Sequence, residues 1–175
     1  YKFKSGAESK GPRVQLMGSG TIFREVIAAA DLLKADWGVE ADIWGAPSFN
    51  ELARDGQDVE RWNMLHPMDA PRVSHVAQKL SGAQGPVIVA TDYIRLYAEQ
   101  IRAYVPGKYV VLGTDGFGRS DTREALRQHF EVNRYWVTIA ALKALADEGK
   151  VERDKVAAAL VKYGIDVNKP NPLFA

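Results

Sequence analysis

No cysteine occurs among the 175 residues. That excludes disulfides, thiol nucleophiles and cysteine metal sites, and it fits a reducing compartment. An excess of charge of one sign is missing too. The 23 Lys and Arg against 22 Asp and Glu leave a formal net charge of +1, so there is no electrostatic footprint for nucleic acid. No apolar run is long enough to span a bilayer. The amino end, Tyr1-Lys2-Phe3, carries neither a Met nor an apolar export segment, and it reads as the start of a piece cut from a longer chain. Signatures of common catalysts are absent as well. There is no Gly-Lys-Ser or Gly-Lys-Thr for a Walker phosphate loop and no Gly-x-Ser-x-Gly for a serine elbow. The three histidines, His66, His75 and His129, are never three or four residues apart, so no helical metal pair exists.

What is present is ordinary for one soluble domain with a proper core: 46% hydrophobic and 26% charged residues. Residues 1–12, with Gly, Ser, Lys, Glu and Pro mixed from Ser5 to Pro12, read as a linker from a preceding domain, and residues 13–175 as the domain itself. Val14–Met17, Ala41–Trp44, Pro86–Ala90 and Tyr109–Leu112 read as strands. Helical patterns alternate with them. Ile22, Val26, Ala29, Ala30 and Leu33 share one face. Ser48 with Glu51 forms a capping box for a helix running toward Trp62, its middle weakened by Gly56. Val73–Leu80 is a short helix, Thr91 and Asp92 offer a cap for the Tyr93–Ile101 pattern, and two helices close the chain before a proline-containing tail. The alternation predicts an α/β fold: a three-layer α/β/α sandwich around a mostly parallel sheet of about five strands.

The densest functional signal is the segment Tyr109–Asp121. A buried strand runs into a polar corner broken by Gly113, Gly116 and Gly118, and Asp121 with Glu124 resembles a capping box for the next helix. Open α/β sheets present their working surface at such carboxyl strand ends. Gly18-Ser19-Gly20-Thr21 occupies a similar position and can receive phosphate, although Phe23 stands where a dinucleotide fingerprint needs glycine. A tight turn is the plainer reading. His66 is a candidate acid or base, weighed against a hydrogen-bonded structural histidine. The charge-dense stretch from Glu51 to Arg61 reads as a solvated helix, but Trp62, Met64 and Leu65 follow at once, as at subunit contacts. Tyr93, Tyr97 and Tyr104 read as core edge, and Trp44 is open to solvent, core or partner. No convergent set of acid, base and binding groups emerges. From the residues alone this is an α/β domain that supports something else.

Gly113-Thr114-Asp115-Gly116-Phe117-Gly118-Arg119-Ser120 resembles the Gly-x-Asp-x-Phe-Gly-x-Ser loop of the C-terminal domain of thiamin-diphosphate enzymes of the transketolase group. Pro47-Ser48 after Trp44 is similar to that group's strand-end segment, and Phe130-Glu131-Val132 to the lead into its closing helix. The string from Ser48 to Pro67, with Ala90–Tyr93 and Gly113–Phe130, resembles most specifically the homodimeric bacterial pyruvate dehydrogenase family; Val59 is a modest departure. The resemblance covers about Val14 to Ala175. It implies a cytoplasmic parent enzyme that uses thiamin diphosphate and magnesium to decarboxylate pyruvate and reductively acetylate a lipoyl group on a dihydrolipoyl acetyltransferase component. It implies that this domain supports a homodimer and the active-site surroundings, with no catalytic, cofactor-binding or metal residue on this segment. The expected contacts with other domains or the second subunit are Asp115, Phe117, Arg119, Asp121, Arg61, Trp62 and His66. Two alternatives stand beside it: an independent phosphate- or nucleotide-binding module using Gly18–Thr21, or the same domain from a transketolase-type enzyme.

Overall fold

A computed structural model describes all of residues 1–175. Five strands form one sheet: β1 (Lys2–Lys4), β2 (Arg13–Gly18), β3 (Glu40–Gly45), β4 (Val87–Ala90) and β5 (Tyr109–Leu112), in the spatial order β1-β3-β2-β4-β5. β2 to β5 are parallel, and β1 lies antiparallel on the β3 edge. The helices are α1 (Phe23–Trp37), α2 (Phe49–Leu65), α3 (His75–Leu80), α4 (Arg95–Glu99), α5 (Arg123–His129), α6 (Arg134–Asp147) and α7 (Arg153–Lys162).

The two-residue period of a strand divides the sheet's side chains between two cores. Val14 and Leu16 of β2, Ala41 and Ile43 of β3, and Ile88 and Ala90 of β4 face α1, α6 and α7. Met17, Trp44, Val87, Val89, Tyr109 and Val111 face α2, α3 and α4. Both faces of the parallel sheet are thus covered, the usual condition for such sheets, and the expected three-layer sandwich results. One polar pair sits in the second core. Gln15, fully buried, accepts from the Trp44 indole (2.8 Å) and donates to the Gln84 carbonyl (2.9 Å). Trp44 therefore belongs to the core.

The expected linker is more ordered than its composition indicates. Lys2–Lys4 supplies the fifth strand, and the Gly6 amide, Arg13 and Lys2 all converge on the Asp42 carboxylate at 2.8–3.2 Å. Burial alone would raise the Asp42 pKa; these three donors outweigh it and hold the carboxyl below its ordinary range. The expected tail is tied down too. The Lys169 ammonium bonds the His129 carbonyl and the Glu131 carboxylate, and Pro172 is buried. Gly56 also differs from expectation. It is not a loose spot in α2: a Cβ there would lie 2.3 Å from the Tyr104 ring, so the glycine lets that ring rest on the helix.

Candidate functional site

The carboxyl ends of β2, β4 and β5 bring together three loops, with the order of connection reversing between β2 and β4, where open α/β sheets form a crevice. The Ser19 and Thr91 hydroxyls join the first two loops at 2.8 Å, buried. The Thr21 hydroxyl donates to Asp92 at 3.0 Å. The third loop is fixed by the second: the Thr114 amide bonds the Tyr93 carbonyl, and the Thr114 hydroxyl bonds the Asp92 carbonyl. Asp115 accepts from the Arg95 amide at 2.9 Å, which supplies α4 with the N-terminal acceptor that its own N-cap, Ile94, lacks.

Two expected caps differ here. Thr91 and Asp92 do not cap a helix, because the chain bends at Asp92 and Tyr93, where the Thr91 hydroxyl accepts from the Tyr93 amide, and the helix starts only at Arg95. Asp121 does not cap α5 either. Thr122 does, its hydroxyl accepting from the Ala125 amide, while Asp121 accepts from the Thr122 amide. Thr122 is one residue nearer the helix and reaches the same orphan donors. The Gly18–Thr21 turn is a tight turn: a Cβ on Gly20 would sit 2.9 Å from an Asp92 carboxylate oxygen, so a negative charge already faces it.

Of the seven expected contact residues, Asp115 thus spends its carboxylate on the start of α4, while the exposed Asp121 bonds the neighbouring Thr122 amide. Phe117 is 80% exposed on the glycine-flanked corner. Gly116 (φ +102°) lies so close to the Pro172 carbonyl that no side chain fits, which seats the Pro172–Phe174 turn against the corner. Phe174, Tyr93, Ile94 and Leu96 are exposed at the same end of the molecule. Arg119 is exposed and makes no ion pair.

The second group lies at the end of α2. Trp62 is sandwiched between the His66 ring, stacked at 4.3 Å, and the Arg72 guanidinium, 3.9 Å above its other face. His66 Nδ1 lies 2.8 Å from the Trp62 carbonyl, so the ring is held by its own helix. The Asn63 amide clamps the Arg72 backbone in both directions. This staple holds Met64, Leu65, Met68 and Val73 outward, Met68 95% exposed. Arg61 is exposed on the same turn. His75 caps nothing with its ring, but its amide bonds Asp55. His129 is half-buried, and burial together with the Arg119 and Lys169 charges pushes its pKa down.

Sequence reasoning missed a cleft of about 350 Å³ between the three strand-end loops and α5, lined by Arg119, Arg123 and Arg127 with Asp92 and Thr21. Arg127 reaches Glu25 (2.9 Å), a buried carboxylate that Arg134 also engages. Burial would raise the Glu25 pKa, but the Arg134 hydrogen bonds and the charges of both arginines overcome it and hold the carboxyl low. The i, i+4 spacing of Arg119, Arg123 and Arg127 is visible in the sequence, but only the fold shows that it faces the sheet crevice.

Comparison with known proteins gives a consistent family. The profile of the transketolase-like TK C-terminal domain matches residues 1–133. The pyruvate dehydrogenase E1 component of Cupriavidus necator is 71% identical over 99% of this chain, and those of Pseudomonas aeruginosa and Escherichia coli K12 are 59% and 53% identical over 99% and 100%. The chain spans about one fifth of the length of these relatives (19–20%). Among solved structures, a split-gene transketolase in an inactive beta4 tetramer superposes with a TM-score of 0.53 at 19% identity, covering 78% of this chain and 40% of the other, which is likeness of fold.

Proposed function

The chain belongs to the transketolase-like C-terminal domain family, and on that premise we propose that it is the assembly lobe of a pyruvate dehydrogenase E1 component. In this reading the longer enzyme decarboxylates pyruvate with thiamin diphosphate and magnesium, then reductively acetylates a lipoyl group of a dihydrolipoyl acetyltransferase. The lobe packs the homodimer and frames the surroundings of the active site. No cluster of three or more Asp, Glu or His side chains gathers in this chain to hold a metal, and the one carboxylate lining the strand-end cleft, Asp92, already accepts from Thr21. In this reading the cofactor is held by the remaining four fifths of the enzyme.

The observation that carries the proposal is a pair of exposed apolar projections, Phe117 on the strand-end corner and Met64–Met68 on the stapled end of α2. A glycine-flanked Phe and an almost fully exposed Met each gain by being covered. Burying a side chain of this size is worth about 1.5–3 kcal/mol. The occupants we assign are the other domains of the same polypeptide and the second subunit. Asp115 supports the Phe117 corner from within, and Trp62 with His66 supports the α2 end.

In the full-length enzyme, Phe117→Ala is expected to weaken the dimer about tenfold or more, measured by sedimentation at falling concentration. Unchanged dissociation for both Phe117→Ala and Met68→Ala removes the assembly role. Calorimetry on the 175-residue chain is expected to show no micromolar thiamin diphosphate binding. Micromolar binding there would place the cofactor chemistry on this segment and end the proposal.

A further inference from the structure

We propose that the cleft at the carboxyl end of β2 and β4 binds a small organic phosphate that carries hydroxyl groups. The assignment is independent of the assembly role. Its volume, about 350 Å³, suits a small ligand. Charge selects the ligand's sign. Arg127 is matched by Glu25, but Arg119 and Arg123 line the cleft with no ion-pair partner. They stand against a single carboxylate, Asp92, and leave the cleft positive. Two free guanidiniums offer forked N–H donors in the geometry that phosphate oxygens accept.

Asp92 adds the second requirement. Its carboxylate takes one hydrogen bond, from the Thr21 hydroxyl at 3.0 Å, and keeps free acceptor positions. A bare anion near it meets repulsion, whereas a ligand hydroxyl donates to it. The ligand therefore places phosphate toward Arg119 and Arg123 and hydroxyls toward Asp92. Leu126, Phe130 and Val132 supply an apolar wall for the carbon skeleton between them. The frame is largely preformed: Phe130 and Val132 are buried, and the Thr114 and Thr21 bonds fix the loops that meet at Asp92.

The test is calorimetric titration of the 175-residue chain, and of the longer protein that contains it, with inorganic phosphate and glycerol 3-phosphate at constant ionic strength. Saturable millimolar binding, tighter for glycerol 3-phosphate, is expected. Arg123→Gln should weaken both ligands about tenfold, the usual size of one lost charge-assisted contact. Asp92→Asn should abolish the preference for glycerol 3-phosphate yet not weaken inorganic phosphate. Because Arg119 and Arg123 hold no ion pair, their variants are expected to keep the wild-type denaturation midpoint, so lost binding reports on the cleft. No saturable binding up to about 20 mM, or binding indifferent to an Arg119→Gln/Arg123→Gln double variant, overturns the site. Binding by the 175-residue chain that vanishes in the longer protein also overturns it, since the guanidiniums are then taken by an acidic side chain of another domain.

Discussion

Replacing Asp115 by Ala separates the loop corner from the helix it caps. Two interactions go at once. The Arg95 amide loses its acceptor at 2.9 Å, and the Arg95 side chain loses a carboxylate 3.1 Å from Nε that is close but not aligned as a hydrogen bond. A lost N-terminal acceptor costs about 1 kcal/mol. The ion pair, with an Arg95 side chain 41% exposed, contributes about 0.5 kcal/mol after solvent screening. The expected cost of Asp115→Ala is therefore about 1.5 kcal/mol, a fall of roughly 3–6 °C in Tm for a domain of this size. Asp115→Asn keeps an oxygen for the amide and gives up only the charge, so it should cost about 0.5 kcal/mol. Urea unfolding followed by tryptophan fluorescence measures both, provided the denaturant slope stays constant. Hydrogen exchange adds a local readout: the Arg95 and Thr114 amides should lose protection in the Ala variant and keep most of it in the Asn variant. Equal costs for Ala and Asn, or unaltered exchange at Arg95, would refute the capping argument.

Glu25→Gln should destabilise the domain at neutral pH and flatten part of its acid response. The folded carboxyl sits below its ordinary value near 4.5, so its stabilising contribution is complete above that value and is lost as pH falls through the lower folded value. The stability difference between wild type and variant should thus shrink on acidification below about pH 4.5; a constant difference from pH 7 to pH 3 would show that Glu25 is not ion-paired. Gly56→Ala tests the opposite sign from helix propensity. In an open helix the change gains up to about 1 kcal/mol, but here the new methyl meets the Tyr104 ring and overpacking costs about 1–3 kcal/mol. Net destabilisation is expected, together with weakening of the Tyr104–Glu60 hydrogen bond; a rise in Tm would mean that the ring moves away freely.

The layers and the four parallel strands were legible because burial on both sides makes short continuous apolar runs, as in Val87–Ala90, and because helices and strands have different periods. The Ser48 cap was legible for a similar local reason: donor and acceptor lie three residues apart in the chain. What escaped was long-range. The acceptor for α4 comes from Asp115, twenty residues away. The partner that explains Gly56 is Tyr104, forty-eight residues away. Lys2–Lys4 carries no apolar pattern because it is an exposed edge strand, its register set by pairing with β3. The contact residues were legible as a group but not by role. Polar types on a glycine corner look alike in sequence, yet the fold turns Asp115 onto the start of α4 and leaves Phe117, Arg119 and Asp121 outward.

Phe117 and Arg119 lie on one short corner, two residues apart with Gly118 between them, and this has a thermodynamic consequence. If assembly covers Phe117 and a phosphate engages Arg119, each event restricts the same backbone. Restriction imposed by one partner need not be imposed again by the other, so the two equilibria become linked, with equal effect per site in either direction. Glycerol 3-phosphate at saturation should then shift dimer dissociation of the longer protein by the square of the factor by which dimerisation shifts glycerol 3-phosphate affinity at each site, because a dimer carries two sites. Gly118→Ala, where added bulk meets nothing within 4 Å, stiffens the corner beforehand and should reduce that factor while leaving the fold intact. Departure from that square relation would show that a third equilibrium intervenes. A factor of one would mean that the corner is already rigid through the Asp115 and Pro172 contacts, leaving Phe117 and Arg119 as independent neighbours.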